Sequence, residues 1–288
     1  MEGLILDCLG GSYTVETEEG TLTCKARGVF RKNGISPCAG DRCEVKDGII
    51  ESICERKNSI IRPPLANIDV MIFVISTCEP SPDTMLLDKF IAVCEYKGIE
   101  PAVALTKNDL ATNEYIPAVY SAVGIPVFVC DYQDSTSTEP IKELINGKVC
   151  AFTGNTGVGK STLLNFIAPG LELETAHISK KLGRGRHTTR VSRLYKLFGG
   201  YIADTPGFSS FDFLQYARVT RQELKYCFRE FEQYEGKCRF ADCSHTKEKD
   251  CAVLEAVESG AVARSRHKSY LQMYEEAGSI KEWENRRS

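Results

Sequence analysis

Residues 148–162, KVCAFTGNTGVGKST, join an apolar run at 149–152 to a glycine-rich turn and then to a helix-forming segment. The turn fits G-x-x-x-x-G-K-[ST] through Gly154, Gly159, Lys160 and Ser161, with Asn155, Thr156, Gly157 and Val158 inside it and Thr162 just after. Glycines let backbone N–H groups wrap the α- and β-phosphates, and the helix N-terminus adds favourable partial charge. Lys160 is expected to reach the β- and γ-phosphates and the Ser161 hydroxyl to coordinate Mg²⁺. An ordinary glycine-rich turn is the competing reading. The preceding strand, and Leu163, Leu164, Phe166 and Ile167 afterwards, supply the strand, loop and helix context that a phosphate loop requires.

The 288 residues exceed one typical domain, and length alone suggests about two. With 42% hydrophobic and 26% charged residues the composition is that of a globular protein, not a disordered or fibrous one. No apolar run is long enough to span a bilayer and no signal peptide is read, so a cytoplasmic protein with no membrane partner is expected. The 13 cysteines are scattered, unlike the dense framework of a small secreted domain, which favours reduced thiols with one cluster kept for metal. A net charge of −3 means that any nucleic-acid contact must come from local patches.

Residues 1–62 alternate in short runs (Leu4 and Leu6, Tyr13 and Val15, Leu22 and Cys24, Cys43 and Val45, Ile49 and Ile50) punctuated by glycine turns. About five strands in this length suggest an all-β barrel of the OB type, with an SH3-like barrel close behind. Such a barrel binds oligonucleotides or serves only as scaffold. Arg62-Pro63-Pro64 marks a boundary. From Asp69 strands and helices alternate: a buried strand at 70–75, a helix at 83–97, a strand at 102–105, a helix at 115–123, a strand at 127–130 and a helix at 141–145. This rhythm predicts a doubly wound parallel α/β sheet across 63–218. A basic stretch, HISKKLGRGRHTTRVSRLYK at 177–196, then leads into a hairpin of 191–198 and 201–203 turning at Gly199-Gly200. Residues 219–288 read as a helical module interrupted by a cysteine cluster.

Asp204-Thr205-Pro206-Gly207 follows the 201–203 strand and matches the D-x-x-G element of phosphate-loop GTPases, where the aspartate helps to hold Mg²⁺ and the glycine N–H senses the γ-phosphate. Thr106-Lys107-Asn108-Asp109 ends the 102–105 strand and resembles the guanine-reading N/T-K-x-D motif. Asp109 would accept from guanine N1–H and the N2 amino group, and the Lys107 stem would cover the base. As an isolated string TKND is more simply a capped turn. In the common GTPase order this motif follows D-x-x-G, whereas here it precedes the phosphate loop. Because the site of a parallel sheet is assembled from loops at one edge, such an order implies a circularly permuted GTPase.

Cys238, Cys243, His245 and Cys251 offer three thiols and one imidazole at the spacing C-x4-C-x-H-x5-C. Tetrahedral Zn²⁺ suits that set, and four protein ligands make the site structural. Buried free cysteines are the competing reading, disfavoured by the polar, basic flanks Lys237, Arg239, Lys247 and Lys249. Arg264, Arg266, His267 and Lys268 face RNA or form a solvated face. Phe208 stands where many small GTPases place a water-orienting glutamine, so His187 is the candidate for that task, or else a phosphate or RNA contact. Thr188 or Thr189 is the expected switch threonine completing the Mg²⁺ shell, with Thr189 favoured.

The order TKND, GNTGVGKS, DTPG and C-x4-C-x-H-x5-C, with AGDRCEV, KNSIIRPPLANID and GRGRHTT, resembles the bacterial ribosome small subunit-dependent GTPase A family over most of the chain. The resemblance implies an OB-fold barrel, a permuted GTPase domain and a zinc-knuckle helical domain. It also implies GTP hydrolysis stimulated by the small (30S) ribosomal subunit during its late maturation, with rRNA as a partner and a monomeric state. Two departures are visible. Cys130-Asp131 replaces the Ser-Ala pair that often contacts guanine through its backbone, and alternation begins at Leu4, so no long basic arm is expected ahead of the barrel. The rival readings are an ATPase on the same loop and a zinc-containing RNA-binding protein with a regulatory or inert nucleotide site.

Overall fold

A computed structural model of the chain describes residues 1–32, 34–61, 63–169, 192–204 and 219–278. Contacts divide it into two compact units, one of Met1–Ser81, Ala102–Thr112 and Phe128–Ser209, the other of Pro82–Pro101, Asn113–Val127 and Ser210–Ser288.

The first unit opens with a closed barrel of β1 (Glu2–Leu9), β2 (Ser12–Thr17), β3 (Gly20–Ala26), β4 (Arg42–Lys46) and β5 (Ile49–Ile53), with the helical turn α1 (Val29–Lys32) after β3. The order β1-β2-β3-β5-β4 is closed by antiparallel β1–β4 pairing and parallel β3–β5 pairing. That crossover separates an OB-type barrel from an SH3-like one. Ile5, Val15, Cys24, Cys43, Val45 and Ile50 fill the interior. The expected inward pair Leu4 and Leu6 is corrected: both are half-buried, and Ile5 between them is the core residue. Ile5 pairs with the buried Val15 and Leu4 with Glu16, so the strand takes the opposite phase of alternation, and the register shifts only beyond Ile5.

Beyond the barrel, β6 (Ser59–Ile61) and β7 (Pro64–Ala66) form a two-stranded ribbon, so the proline pair lies at a hairpin. The buried Asp41 carboxylate ties the barrel end together. It accepts from the Cys38 N–H at 2.8 Å and from two guanidinium nitrogens of Arg56 at 2.6 and 2.8 Å. Gly40, at φ 88°, lies so close to the Ala66 carbonyl that a Cβ would collide with it, which explains the glycine of AGDRCEV.

The six-stranded sheet follows, in the order β10 (Val127–Val129), β9 (Glu100–Thr106), β8 (Val70–Ser76), β11 (Val149–Gly154), β13 (Gly200–Asp204), β12 (Leu194–Leu197). β8 is buried along its whole length, as a central strand covered on both faces must be. β11 runs parallel to both β8 and β13. At one edge β12 is antiparallel to β13, as the hairpin read from the sequence requires. Their hairpin turns at Phe198 and Gly199, both at positive φ, and not at Gly199-Gly200, because Leu197 pairs directly with Gly200. The strand begins at Leu194; Val191 lies outside the described residues. Ile72, Val74, Phe152 and Ile202 pack with Ile141 and Ile145 of α4 (Glu139–Ile145) and with Leu163, Leu164 and Ile167 of α5 (Lys160–Ile167). The barrel grips the edge hairpin: Asp7 bridges and ion-pairs with Arg193 at 3.4 Å, and Glu16 holds Lys196 at 2.8 Å and the Tyr201 hydroxyl.

The second unit contains α2 (Thr84–Lys97), α3 (Tyr115–Ala122), α6 (Arg221–Leu224), α7 (Ala252–Ser259) and α8 (Arg264–Gly278). Asp83 caps α2 by accepting from the Leu86 N–H, and Gly98 at φ 64° ends it. A capping box of Thr220 and Glu223 starts α6. Arg266 is 1% exposed and binds Glu230 through Nε (2.7 Å) and Nη2 (3.0 Å) and Asp88 through Nη1 (2.7 Å), with the Phe228 ring 4.8 Å away. The expectation that Arg264, Arg266, His267 and Lys268 form one outward basic face is therefore corrected: Arg266 and His267 are interior, while Arg264 and Lys268 are exposed. Among the described residues no helix is long and apolar enough to cross a membrane.

Replacing Asp41 by Asn leaves the Arg56 fork short of a charged acceptor. The substitution is expected to lower stability by about 2 kcal/mol in urea denaturation. Lys57→Ala, which removes an exposed pair with Asp69, should cost about 1 kcal/mol or less. Equal losses for the two variants would contradict the role assigned to Asp41.

Candidate nucleotide site and metal cluster

The phosphate loop leaves β11 at Gly154, where a Cβ would strike the Val74 carbonyl of the neighbouring strand. Gly159, at φ 92°, is the N-cap of α5, a backbone state that suits glycine, and Lys160 and Ser161 begin the helix, half-buried. Asn155 is half-buried, Thr156, Gly157 and Thr162 are exposed, and Val158 is buried in the sheet core. The four N-terminal N–H groups of a helix lack intrahelical partners, so this geometry directs donors at an anion.

The TKND segment starts on the last residue of β9. Thr106 is fully buried, and its hydroxyl donates to the Val158 carbonyl at 2.5 Å, with the Ile75 carbonyl at 3.3 Å. One side chain thus fastens the β9 loop to the phosphate loop and to the end of β8. The Lys107 backbone sits at φ 59°, unusual for a residue with a Cβ. The conformation is held by the Thr77 hydroxyl donating to the Lys107 carbonyl at 2.7 Å and by the Thr77 N–H donating to the Thr106 carbonyl at 3.0 Å. The Lys107 ammonium donates to the Glu79 carbonyl. Leu110 and Ala111 turn back onto the Lys107 carbonyl, leaving Asn108 half-buried and Asp109 exposed.

Sequence reasoning missed Thr77, Tyr132 and Ser137. Thr77 belongs to no motif and is found only through its bonds to TKND. The buried Tyr132 hydroxyl lies 3.7 Å from where a Gly159 Cβ would stand, beside Thr106, and its ring meets Phe166 edge-on at 5.2 Å. Burial, then the neighbouring Cys130 and Asp109, push its phenol upward, so it stays protonated. The Asp131 N–H, at the position where GTPases often use a backbone amide on guanine, donates to Ser137 Oγ at 3.0 Å. Asp204 ends β13, paired in register with Phe152 of the phosphate-loop strand. Thr205, Pro206, Gly207, Phe208, His187, Thr188 and Thr189 lie outside the described residues.

The metal candidates do converge. Cys238, Cys243, His245 and Cys251 present ligand atoms that all lie within 4.8 Å of one another. Cys238 Sγ is 3.8 Å from Cys251 Sγ and 3.6 Å from His245 Nδ1, which is 3.4 Å from Cys251 Sγ. A tetrahedral ion with metal–sulfur bonds of ~2.3 Å and metal–nitrogen bonds of ~2.1 Å requires edges of about 3.8 and 3.6 Å, so the cage fits one. The ring faces the sulfurs through Nδ1, while the His245 carbonyl meets His267 Nε2 at 2.8 Å. Burial, then Lys225, hold the His245 pKa below its usual value, which keeps the lone pair available. Partial burial raises the Glu248 carboxyl, but bonds from the Ser244 hydroxyl and from the N–H groups of Ser244 and Lys247 outweigh it and hold the pKa at about 2. That carboxylate braces the loop between the second and fourth ligands. The arrangement suits a structural metal ion.

Comparison with known proteins agrees with this geometry. A family model described as RsgA GTPase matches residues 53–214, and one described as RsgA N-terminal domain matches 2–50. The small ribosomal subunit biogenesis GTPase RsgA of Streptococcus pneumoniae is 44% identical over 297 residues, covering 100% of this chain and 96% of that protein. The crystal structure of YjeQ from Thermotoga maritima superimposes with a TM-score of 0.83 at 34% identity, covering 97% of this chain and 99% of that one. YloQ, titled a circularly permuted GTPase, gives a TM-score of 0.80 at 34% identity over 97% and 96%. A guanine-type motif ahead of its phosphate loop, an OB-type barrel ahead of both, and similarity along its full length to these proteins mean that the chain belongs to the RsgA GTPase family.

Proposed function

We propose that the chain hydrolyses GTP, and that it binds and is stimulated by the small ribosomal subunit during late maturation of that subunit. The observation that carries the nucleotide part is the Thr106 hydroxyl on the Val158 carbonyl, which makes the base-reading and phosphate-binding loops one platform. The pneumococcal relative, named for small ribosomal subunit biogenesis, supports the partner. In this reading Asp109 accepts from the guanine edge, Lys107 and Asn108 shape the base slot, and residues 154–162 cradle the phosphates. Lys160 stabilises charge on the transferred phosphoryl group. Ser161, Asp204 and Thr189 would hold Mg²⁺, which supplies charge neutralisation at the β- and γ-oxygens. The Gly207 N–H senses the γ-phosphate, and His187 orients water in place of the glutamine that Phe208 replaces.

The Cys238, Cys243, His245 and Cys251 cage takes one structural Zn²⁺, since thiolate and imidazole donors in a closed tetrahedron suit that ion. The functional division is a barrel at 1–62, a permuted GTPase domain at 63–218 and a zinc-binding helical domain at 219–288, working as a cytoplasmic monomer that contacts rRNA.

Multiple-turnover GTP hydrolysis should be slow for the isolated protein and rise at least about tenfold on adding small subunits. Equal rates with and without subunits would refute stimulation. Asp109→Asn should weaken GDP binding about a hundredfold while improving binding of xanthosine diphosphate, because two N–H donors lose a charged acceptor; unchanged base preference would remove Asp109 from base reading. Glu248→Ala should lower zinc affinity ten- to a hundredfold in competition with a chromogenic chelator, and wild-type affinity would show that the loop needs no brace.

A further inference from the structure

The helical unit holds a cavity of about 380 Å³ that opens onto the metal cage, three of whose ligands, Cys238, Cys243 and His245, form part of its wall. Its buried lining includes Phe228 and Phe231. Its exposed lining includes Tyr226, at 63% exposure, and Phe240, at 48%. Each of these two rings carries a cation: Lys225 Nζ lies 5.1 Å from the Tyr226 centroid, and the Arg239 guanidinium carbon lies 5.6 Å from that of Phe240. The carboxylates of Glu232 and Glu235 also line the space and are exposed. Large aromatic rings left in water around a concavity are an unusual use of apolar area unless something stacks on them.

The lining chemistry restricts the occupant. Arg229 in the wall is taken up by Glu95 and Glu100, so a phosphate or acidic group entering the cavity would meet the carboxylates of Glu232 and Glu235 with Lys225 as the remaining cation. A purely aliphatic side chain would offer the carboxylates of Glu232 and Glu235 no donor. A nucleobase satisfies every part: its π-faces stack on aromatic rings, its N–H edge donates to a carboxylate, and its phosphates stay outside among Lys225, Lys237 and Arg239. Volumes from about 300 Å³ upward suit ligands of this size. We propose that this cavity receives one unpaired, unstacked base of a single-stranded RNA segment, with Tyr226 and Phe240 as its stacking residues. The inference rests on the reading that the chain binds ribosomal RNA.

The test uses the full zinc-loaded chain and two fluorescein-labelled probes: single-stranded octauridylate and an abasic backbone of the same length and charge. Octauridylate should bind at least about tenfold more tightly than the abasic backbone in fluorescence anisotropy. Tyr226→Ala and Phe240→Ala should each remove about tenfold of octauridylate affinity and leave abasic binding, zinc content and unstimulated GTP hydrolysis unchanged, while Tyr226→Phe retains it. Equal binding of the two probes, or alanine variants that bind octauridylate like the unmodified protein, would overturn the proposal. So would alanine variants that lose only small-subunit affinity, which would make the occupant a protein. Small subunits provide the separate control: if they fail to bind the unmodified chain, the functional reading itself falls, whereas subunit binding with no effect of either alanine on octauridylate rejects the cavity alone.

Discussion

A single buried hydroxyl sets the relation on which the nucleotide site depends. Thr106 joins the end of β9 to the phosphate loop at Val158, within hydrogen-bonding reach of the end of β8 at Ile75. A buried carbonyl left without a donor costs about 1–3 kcal/mol, so the three strand ends favour this one arrangement. Gly154 and Gly159 serve the same constraint from the other side, Gly154 because a Cβ there would strike the Val74 carbonyl of the neighbouring strand and Gly159 because its φ of 92° suits glycine. Thr77 completes the assembly by fixing Lys107 in its positive-φ state.

Because that assembly is made across strand ends, the order in which the chain visits them is immaterial. The base-reading loop comes from β9 and the phosphate loop from β11, and the sheet places β8 between them. Permutation instead changes what lies next to the remaining elements. The β12–β13 hairpin carries Asp204 at its end, and the barrel holds that hairpin through Asp7 with Arg193 and Glu16 with Lys196 and Tyr201. The metal cage belongs to the other unit and is organised by its own bonds, from Glu248, His267 and Tyr270.

What could be read from the sequence was whatever chemistry writes as a short contiguous string. GNTGVGKS and TKND declared both loops, and the C-x4-C-x-H-x5-C spacing declared a cage whose four ligand atoms do converge. Period-two alternation revealed a small barrel but not its closure, since the parallel β3–β5 pairing joins residues far apart in sequence. In β1 the core position is Ile5, which pairs with the buried Val15, and not Leu4 or Leu6, because a run of three apolar residues admits either phase of the alternation. Arg266 read as a surface charge because residue type carries no information about the buried Asp88 and Glu230 that receive it. Thr77, Tyr132 and Ser137 were invisible for the same reason: their positions follow from strand ends that meet only in the folded sheet.

The coupling of the two loops through Thr106 is tested most directly by isothermal titration of GDP into Thr106→Val, which keeps the side-chain shape and removes the hydroxyl. The coupling predicts affinity about tenfold weaker than that of the unmodified protein, equivalent to about 1.4 kcal/mol, with near-complete retention in Thr106→Ser and unchanged zinc content in both. Unmodified GDP affinity in Thr106→Val would contradict it, because the base-reading and phosphate-binding loops would then hold their relation without the hydroxyl.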